Sequence, residues 1–129
     1  MASGYQIADG YNNAGAFVTM DVDGRPPRTP GQVFGRIRTN GEGVQREDGF
    51  RSATLIYSYL TADEYDTLVF TTMGFSASEV SNKVTIAIPD RDNRGFVNYN
   101  AVIALPTSLE FRLSKYLDVR FNVTRLEAI

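Results

Sequence analysis

The chain contains neither histidine nor cysteine. Imidazole is therefore missing as acid, base or ligand, and thiolate is missing as nucleophile, disulfide partner or metal ligand. What remains for chemistry is 15 carboxylates, 13 basic side chains, the hydroxyls and seven tyrosines. The run Asp90-Arg91-Asp92-Asn93-Arg94-Gly95 imitates the first half of an EF-hand loop, where oxygen ligands at alternate positions before a glycine wrap a calcium ion. Its fifth position is Arg94, however, and the twelfth, where a bidentate Glu belongs, is Ala101, so a polar hairpin turn accounts for it better. Asp21 and Asp23 before Gly24 type only as a turn. Ser76 and Ser78 in GFSAS do not form a nucleophile elbow and have no histidine to act as base. Gly41-Glu42-Gly43 lacks the lysine and following helix of a phosphate cradle. Paired carboxylates for glycoside hydrolysis need a defined separation that sequence does not supply. Tyr57, Tyr59, Tyr65 and Tyr99 are candidates for a sugar- or base-stacking shelf, although core and interface packing explains them with fewer assumptions. The expectation is a protein that is not an enzyme, with no catalytic residue, no cofactor and no metal.

The formal net charge of −2 gives no overall attraction to a phosphate backbone, so specific nucleic-acid binding is not expected. Only Lys83 and Lys115 of the 13 basic residues are lysines, and the other 11 are arginines. Guanidinium groups make planar, multi-donor contacts and are enriched at protein interfaces, where lysine is depleted; codon bias in a GC-rich genome produces the same ratio. No apolar run approaches the roughly 20 residues needed to cross a bilayer, and MASGYQIADGYNN has neither the basic head nor the apolar stretch of a signal peptide, so no membrane partner is expected.

The elements that must carry these residues are mostly strands. At 129 residues one domain is expected over 1–129. GAFVTMDV (15–22), SATLIYSYL (52–60), KVTIAI (83–88), FVNYNAVIAL (96–105), SLEFRL (108–113) and DVRFNVT (118–124) alternate or are rich in β-branched and aromatic residues. In the last of these Val119, Phe121 and Val123 point inward. Thr61-Ala62-Asp63-Glu64 has the spacing of a capping box, with Leu60 and Tyr65 at the staple positions. Tyr65, Leu68, Val69 and Thr72 follow at helical spacing, and Gly74 supplies a stop. The fold class is mainly β: an antiparallel β-sandwich or partly closed barrel of six or seven strands, with one packed α-helix at about 61–73 and a long loop arm.

That arm is the segment 24–51. Between Asp21 and Arg51 the chain holds six Gly, three Pro and six Arg, which leaves room for one short strand near 32–38. Val33, Phe34, Ile37 and Phe50 anchor it. Arg25, Arg28, Arg36 and Arg38 present donors for which an isolated monomer offers few acceptors, so these arginines, with Phe34 and Phe50, are the candidate protein-interface residues. The core from Ser52 onward is expected to be complete without the arm. Strand edges in such a β protein must be covered, and ring assembly by sheet continuation covers them.

The order of elements carries a resemblance. SATLIYSYLTADEYDTLVFTTMGFSASEVSNKVTIAIPDRDNRGFVNYNAVIALP is a strand running into a capped helix and then paired strands ending in proline; LDVRFNVTRLEAI follows it. Over about residues 52–129 this is similar to bacteriophage proteins with the tail-tube fold, in particular tail-tip and baseplate hub or minor tail components of the distal-tail type. Their last strand commonly alternates apolar residues and continues x-x-Leu-Glu, here Val119, Phe121, Val123, Leu126 and Glu127. The resemblance implies a virion structural protein, assembled in the host cytoplasm, that forms a homo-oligomeric ring, usually six-fold, with neighbouring tail proteins as partners and DNA passing through the lumen. The helix would pack outside the inner barrel, and the segment from Gly24 onward would match the loop that grips an adjacent ring. Distal-tail proteins often carry a second, carbohydrate-binding-like domain; none is expected within 1–129, which leaves open a minor tail, tube-terminating or neck component. The alternatives are a capsid decoration protein and a free-standing β-sandwich binding module.

Overall fold

The structure, a computed structural model, describes residues 4–29, 32, 37–39, 41–47, 50–76, 78–89, 95–107 and 109–129. In chain order the elements are β1 (Gln6–Asp9), β2 (Val18–Thr19), β3 (Ile37–Thr39), β4 (Gln45–Glu47), β5 (Arg51–Thr61), α1 (Ala62–Asp66), β6 (Ser81–Pro89), β7 (Phe96–Ala104), β8 (Glu110–Arg112) and β9 (Lys115–Ala128). Seven strands form one antiparallel sheet in the order β2-β1-β6-β7-β9-β5, with β8 pairing on β9. The sheet is not closed, and the fold is mainly β with one packed helix, in keeping with a β-sandwich. Strands β3 and β4 make a separate two-stranded sheet.

Alternation along the strands builds the core. Ile86 stands opposite Ile7 on one side and Tyr99 on the other, Ile103 opposite Val123, Val123 opposite Ala53, and Phe121 opposite Leu55, and all are buried. One face of the curved sheet is thus apolar throughout, and Leu68, Val69, Met73 and Phe75 from the helix and its exit cover it. The inward Val119, Phe121 and Val123 are fully buried, whereas Arg120, Asn122 and Thr124 are exposed, as the alternation predicts. After Val123 the next buried position is Leu126, three residues on. Arg125 has a left-handed φ of 57°, and the registers of β5 and β7 against β9 both shift across this point. A bulge therefore inserts one residue, bends the 14-residue β9 around the core and restores the inward phase at Leu126.

Several expectations need correction. The pattern over 15–22 yields only the two-residue β2, because 14–16 forms a 3₁₀ turn. The neighbouring β1 gave no clear sequence pattern, yet its Ile7 is fully buried. The helix begins as predicted, with Thr61 as cap, but after one α turn Thr67–Thr72 continues as π-helix, closed by the Met73 N–H donating to the Leu68 carbonyl at 2.8 Å. The core is not complete from Ser52: Ile7 and Met20 belong to it, Pro27 is buried, and the buried Tyr57 hydroxyl donates to the Met20 carbonyl at 2.7 Å. The strand near 32–38 is described only from Ile37, where β3 runs to Thr39, and the turn 90–94 between β6 and β7 lies outside the described residues.

Candidate functional site

The capping box that starts α1 also fixes a carboxylate. Thr61 is extended, its hydroxyl accepts the Glu64 N–H at 3.2 Å, and Glu64 Oε1 accepts the Thr61 N–H at 3.0 Å. Held this way, Glu64 receives Arg25, whose Nη2 reaches both carboxylate oxygens at 2.8 and 2.7 Å. Arg25 Nη1 donates to the Tyr59 carbonyl at 2.9 Å, and its guanidinium carbon lies 4.0 Å from the centre of the Tyr59 ring. The Lys115 ammonium sits 4.5 Å from the same ring. The expectation that an isolated monomer leaves Arg25 without acceptors is therefore wrong for this residue. The helix cap and β5 supply them, and Arg25 ties the start of the arm to both.

Electrostatics follow from this geometry. The Thr61 backbone N–H, then Arg25, hold the Glu64 carboxyl below its ordinary value of 4.5. Burial works against the Arg25 charge, but the hydrogen bond and charge of Glu64 outweigh it, so its pKa rises. Burial, reinforced by Asp21, pushes the Tyr57 hydroxyl up. Because the folded Glu64 pKa is depressed, its stabilisation is fully present above the unfolded value and is lost as pH falls through the folded one. Wild-type protein should lose stability below about pH 4.5, and Glu64→Gln should be less stable at pH 7 by about 1–2 kcal/mol with a shallower acid loss. Urea midpoints measured from pH 7 to pH 3 check this; parallel curves would mean that the pair contributes nothing.

The remaining candidate residues divide between the sheet edge and the arm. Sheet order ends at β5, an 11-residue strand. On the side away from β9 the Arg28 N–H donates to the Ile56 carbonyl at 2.9 Å and the Ile56 N–H to the Arg28 carbonyl at 2.8 Å. By alternation Thr54 and Ser58 also direct their backbone groups outward on this edge. Arg28 is exposed, and Phe50, just before β5, is exposed with the Arg125 guanidinium 5.4 Å from its ring centre. Arg38 lies in β3 directly opposite Arg46 of β4. Phe34 and Arg36 lie outside the described residues. The four described candidates are thus not one cluster: Arg25 and Arg28 lie along β5, Phe50 at its start, and Arg38 in the separate hairpin.

Two features escaped sequence reasoning. The β8–β9 hairpin presents Leu109, Phe111 and Leu113 to solvent, and its two-residue turn, Leu113-Ser114, holds both residues at left-handed φ (53° and 66°). Phe111 packs edge-on against Tyr116 at 4.9 Å, and Tyr116 meets Tyr65 at 5.2 Å. The alternation of Leu109, Phe111 and Leu113 is the available signal, and from sequence this segment types only as a strand. Second, a cleft of about 480 Å³ opens between the segment 19–23 and the start of the helix. The tyrosine shelf does not form: Tyr57 and Tyr99 are buried, Tyr65 packs on the core, and Tyr59 lies under two cations.

Among the described residues no group of acidic side chains is arranged to hold a metal ion, and no helix is long and apolar enough to cross a membrane. In comparisons with protein-family models, curated proteins and solved structures, the chain matches none of them.

Proposed function

We propose that this chain is a structural protein of a bacteriophage tail, a tail-tip, baseplate hub or minor tail component, that assembles into a ring by continuing its sheet from one protomer to the next. The β3–β4 hairpin is the inter-subunit arm. The observation that carries the reading is the separation of this hairpin from the seven-stranded sheet, beside a long β5 whose outward edge is bridged at Ile56 by Arg28. A solitary two-stranded hairpin is marginal in water and gains stability when a further surface covers it. A long strand edge invites pairing with another chain. The element order described above supports the tail-tube resemblance, and the virion and host cytoplasm follow from it as its setting.

The test is to replace Ile37–Glu47 with a short Gly-Ser linker. Residues up to Thr29 keep their places on β5 in this variant, so the folded domain should persist with a near-unchanged denaturation midpoint. Rings or tubes seen by native mass and negative-stain imaging should disappear. An intact chain that stays a monodisperse monomer at every concentration would overturn the reading, as would a linker variant that assembles normally.

A further inference from the structure

We infer that the segment Val22–Arg28 is a removable cover on the outer edge of β5, which keeps the chain monomeric until a strand of a second copy takes its place. The inference rests on the ring reading and names the step that regulates it. The strap has a fixed start, a latch and a cover. At its start Met20 is fully buried, its N–H donates to the Tyr5 carbonyl at 3.0 Å, and its carbonyl holds the Tyr57 hydroxyl. Val22 and Arg25 then exchange two backbone hydrogen bonds of 2.9 Å around a tight turn in which Asp23 and Gly24 are both left-handed. Arg25 is the latch, closed on Glu64 and on the Tyr59 carbonyl. Arg28 is the cover, bonded through its N–H and its carbonyl to Ile56.

The cover is weak by construction. Antiparallel pairing through Arg28 and Ile56 sets Pro26 against Ser58. Proline has no N–H to give the Ser58 carbonyl, so the ladder cannot extend in that direction, and neither backbone group of Ser58 bonds to the strap. Among the described residues the bridge at Ile56 is the whole of the backbone pairing on this edge of an 11-residue strand. What the strap has in its favour is tethering, the latch and the burial of Pro27. A strand from another chain with an N–H where Pro26 stands carries the ladder on to Ser58, and it competes with the tethered strap through its concentration.

The occupant is a second copy because the same sheet offers the complementary edge. Sheet order ends in β5 on one side and in β2 on the other, where Val18 and Thr19 are exposed. Phe17, just before β2, has extended backbone (φ −56°, ψ 135°), and no proline interrupts 17–20. Each chain thus carries both halves of an edge-to-edge contact, and such a contact repeated head to tail generates rings.

Hydrogen exchange on the wild-type protein reads the cover directly. The Arg28 amide should be protected in the monomer and exchange about tenfold faster or more in the ring, while the Ser58 amide slows by a similar factor. A covalent lock supplies the second test, since the chain has no cysteine of its own. Arg28 and Ile56 are directly opposed, and a hydrogen-bonded antiparallel pair, with Cα atoms about 5.5 Å apart, is within disulfide reach. Oxidised Arg28→Cys/Ile56→Cys protein should stay monomeric at concentrations where the reduced protein forms rings, and reductant should release it. Glu64→Gln keeps an acceptor for the Thr61 N–H but removes the charge that holds Arg25, so it should assemble at a concentration about threefold lower than wild type or less. If the reduced double variant does not assemble, the wild-type exchange pattern decides alone. Rings from the oxidised protein, rings in which Arg28 keeps its protection and Ser58 gains none, or a Glu64→Gln protein that needs as much material as wild type would overturn the strap while leaving the ring reading standing. Protein that stays monomeric in all three forms, wild type, Glu64→Gln and the reduced double variant, would overturn both.

Discussion

Gly74→Ala should destabilise the fold by about 3 kcal/mol, through two separable effects. Gly74 ends the helix at φ +76°, a conformation that costs an L-residue about 1–2 kcal/mol. The Phe75 N–H donates to the Val69 carbonyl at 3.1 Å, so the left-handed residue also closes the helix end. The second effect is steric: a Cβ at position 74 would lie 2.7 Å from the Asp9 Cγ. Asp9 is not free to swing aside, because its Oδ1 accepts from Asn82 Nδ2 at 2.8 Å, while the same Asn82 amide donates to the Met73 carbonyl at 3.0 Å. Adding Asp9→Ala to Gly74→Ala should recover the steric part and leave the backbone part. Urea denaturation of Gly74→Ala, Asp9→Ala and the double variant measures the division. A Gly74→Ala protein as stable as wild type would mean that the helix does not end in this way.

Helix start and stop were legible because both depend on local chemistry: Thr61 and Glu64 sit at cap spacing, and Gly74 supplies the one residue type at ease in a left-handed exit. The switch to π-helix after Asp66 was not, since Tyr65, Leu68, Val69 and Thr72 also fit an ordinary helix and tertiary packing selects the wider turn. The inward phase of β9 was readable up to Val123. The three-residue step to Leu126 was visible as a pattern, but its cause is a bulge seen only in the pairing with β5 and β7. Strand β1 is four residues long and owes its place to pairing with β6 rather than to its own composition. The site divides along the same line. An arginine-rich segment announces donors, but nothing in its sequence says that Arg25 is satisfied by a cap carboxylate 39 residues away while Arg38 is set against Arg46.

Phe121→Ala should cost about 3–5 kcal/mol, a large part of the roughly 5–15 kcal/mol that holds a domain together. Phe121 is fully buried, meets Tyr57 edge-on at 6.1 Å and stacks on Tyr65 at 6.2 Å. Tyr65 belongs to α1, so the ring is the platform on which the first helical turn rests against the sheet. From Tyr65 the aromatic contacts run outward through Tyr116 to the exposed Phe111. Removing the inner end leaves a cavity beneath the helix, whereas removing the outer end exposes little new surface. Phe111→Ala should therefore lie within about 1 kcal/mol of wild type, and Phe121→Leu, which keeps most of the volume, should fall between the two. Hydrogen exchange supplies the distinguishing readout: in Phe121→Leu the amides of 62–72 should lose protection ahead of those in β6 and β7, because the helix loses its platform while that strand pair keeps its own core. Uniform loss of protection across helix and sheet would instead make Phe121 an ordinary member of one cooperative core. The helix, with the cleft beside it, would then be as firmly seated as the strands.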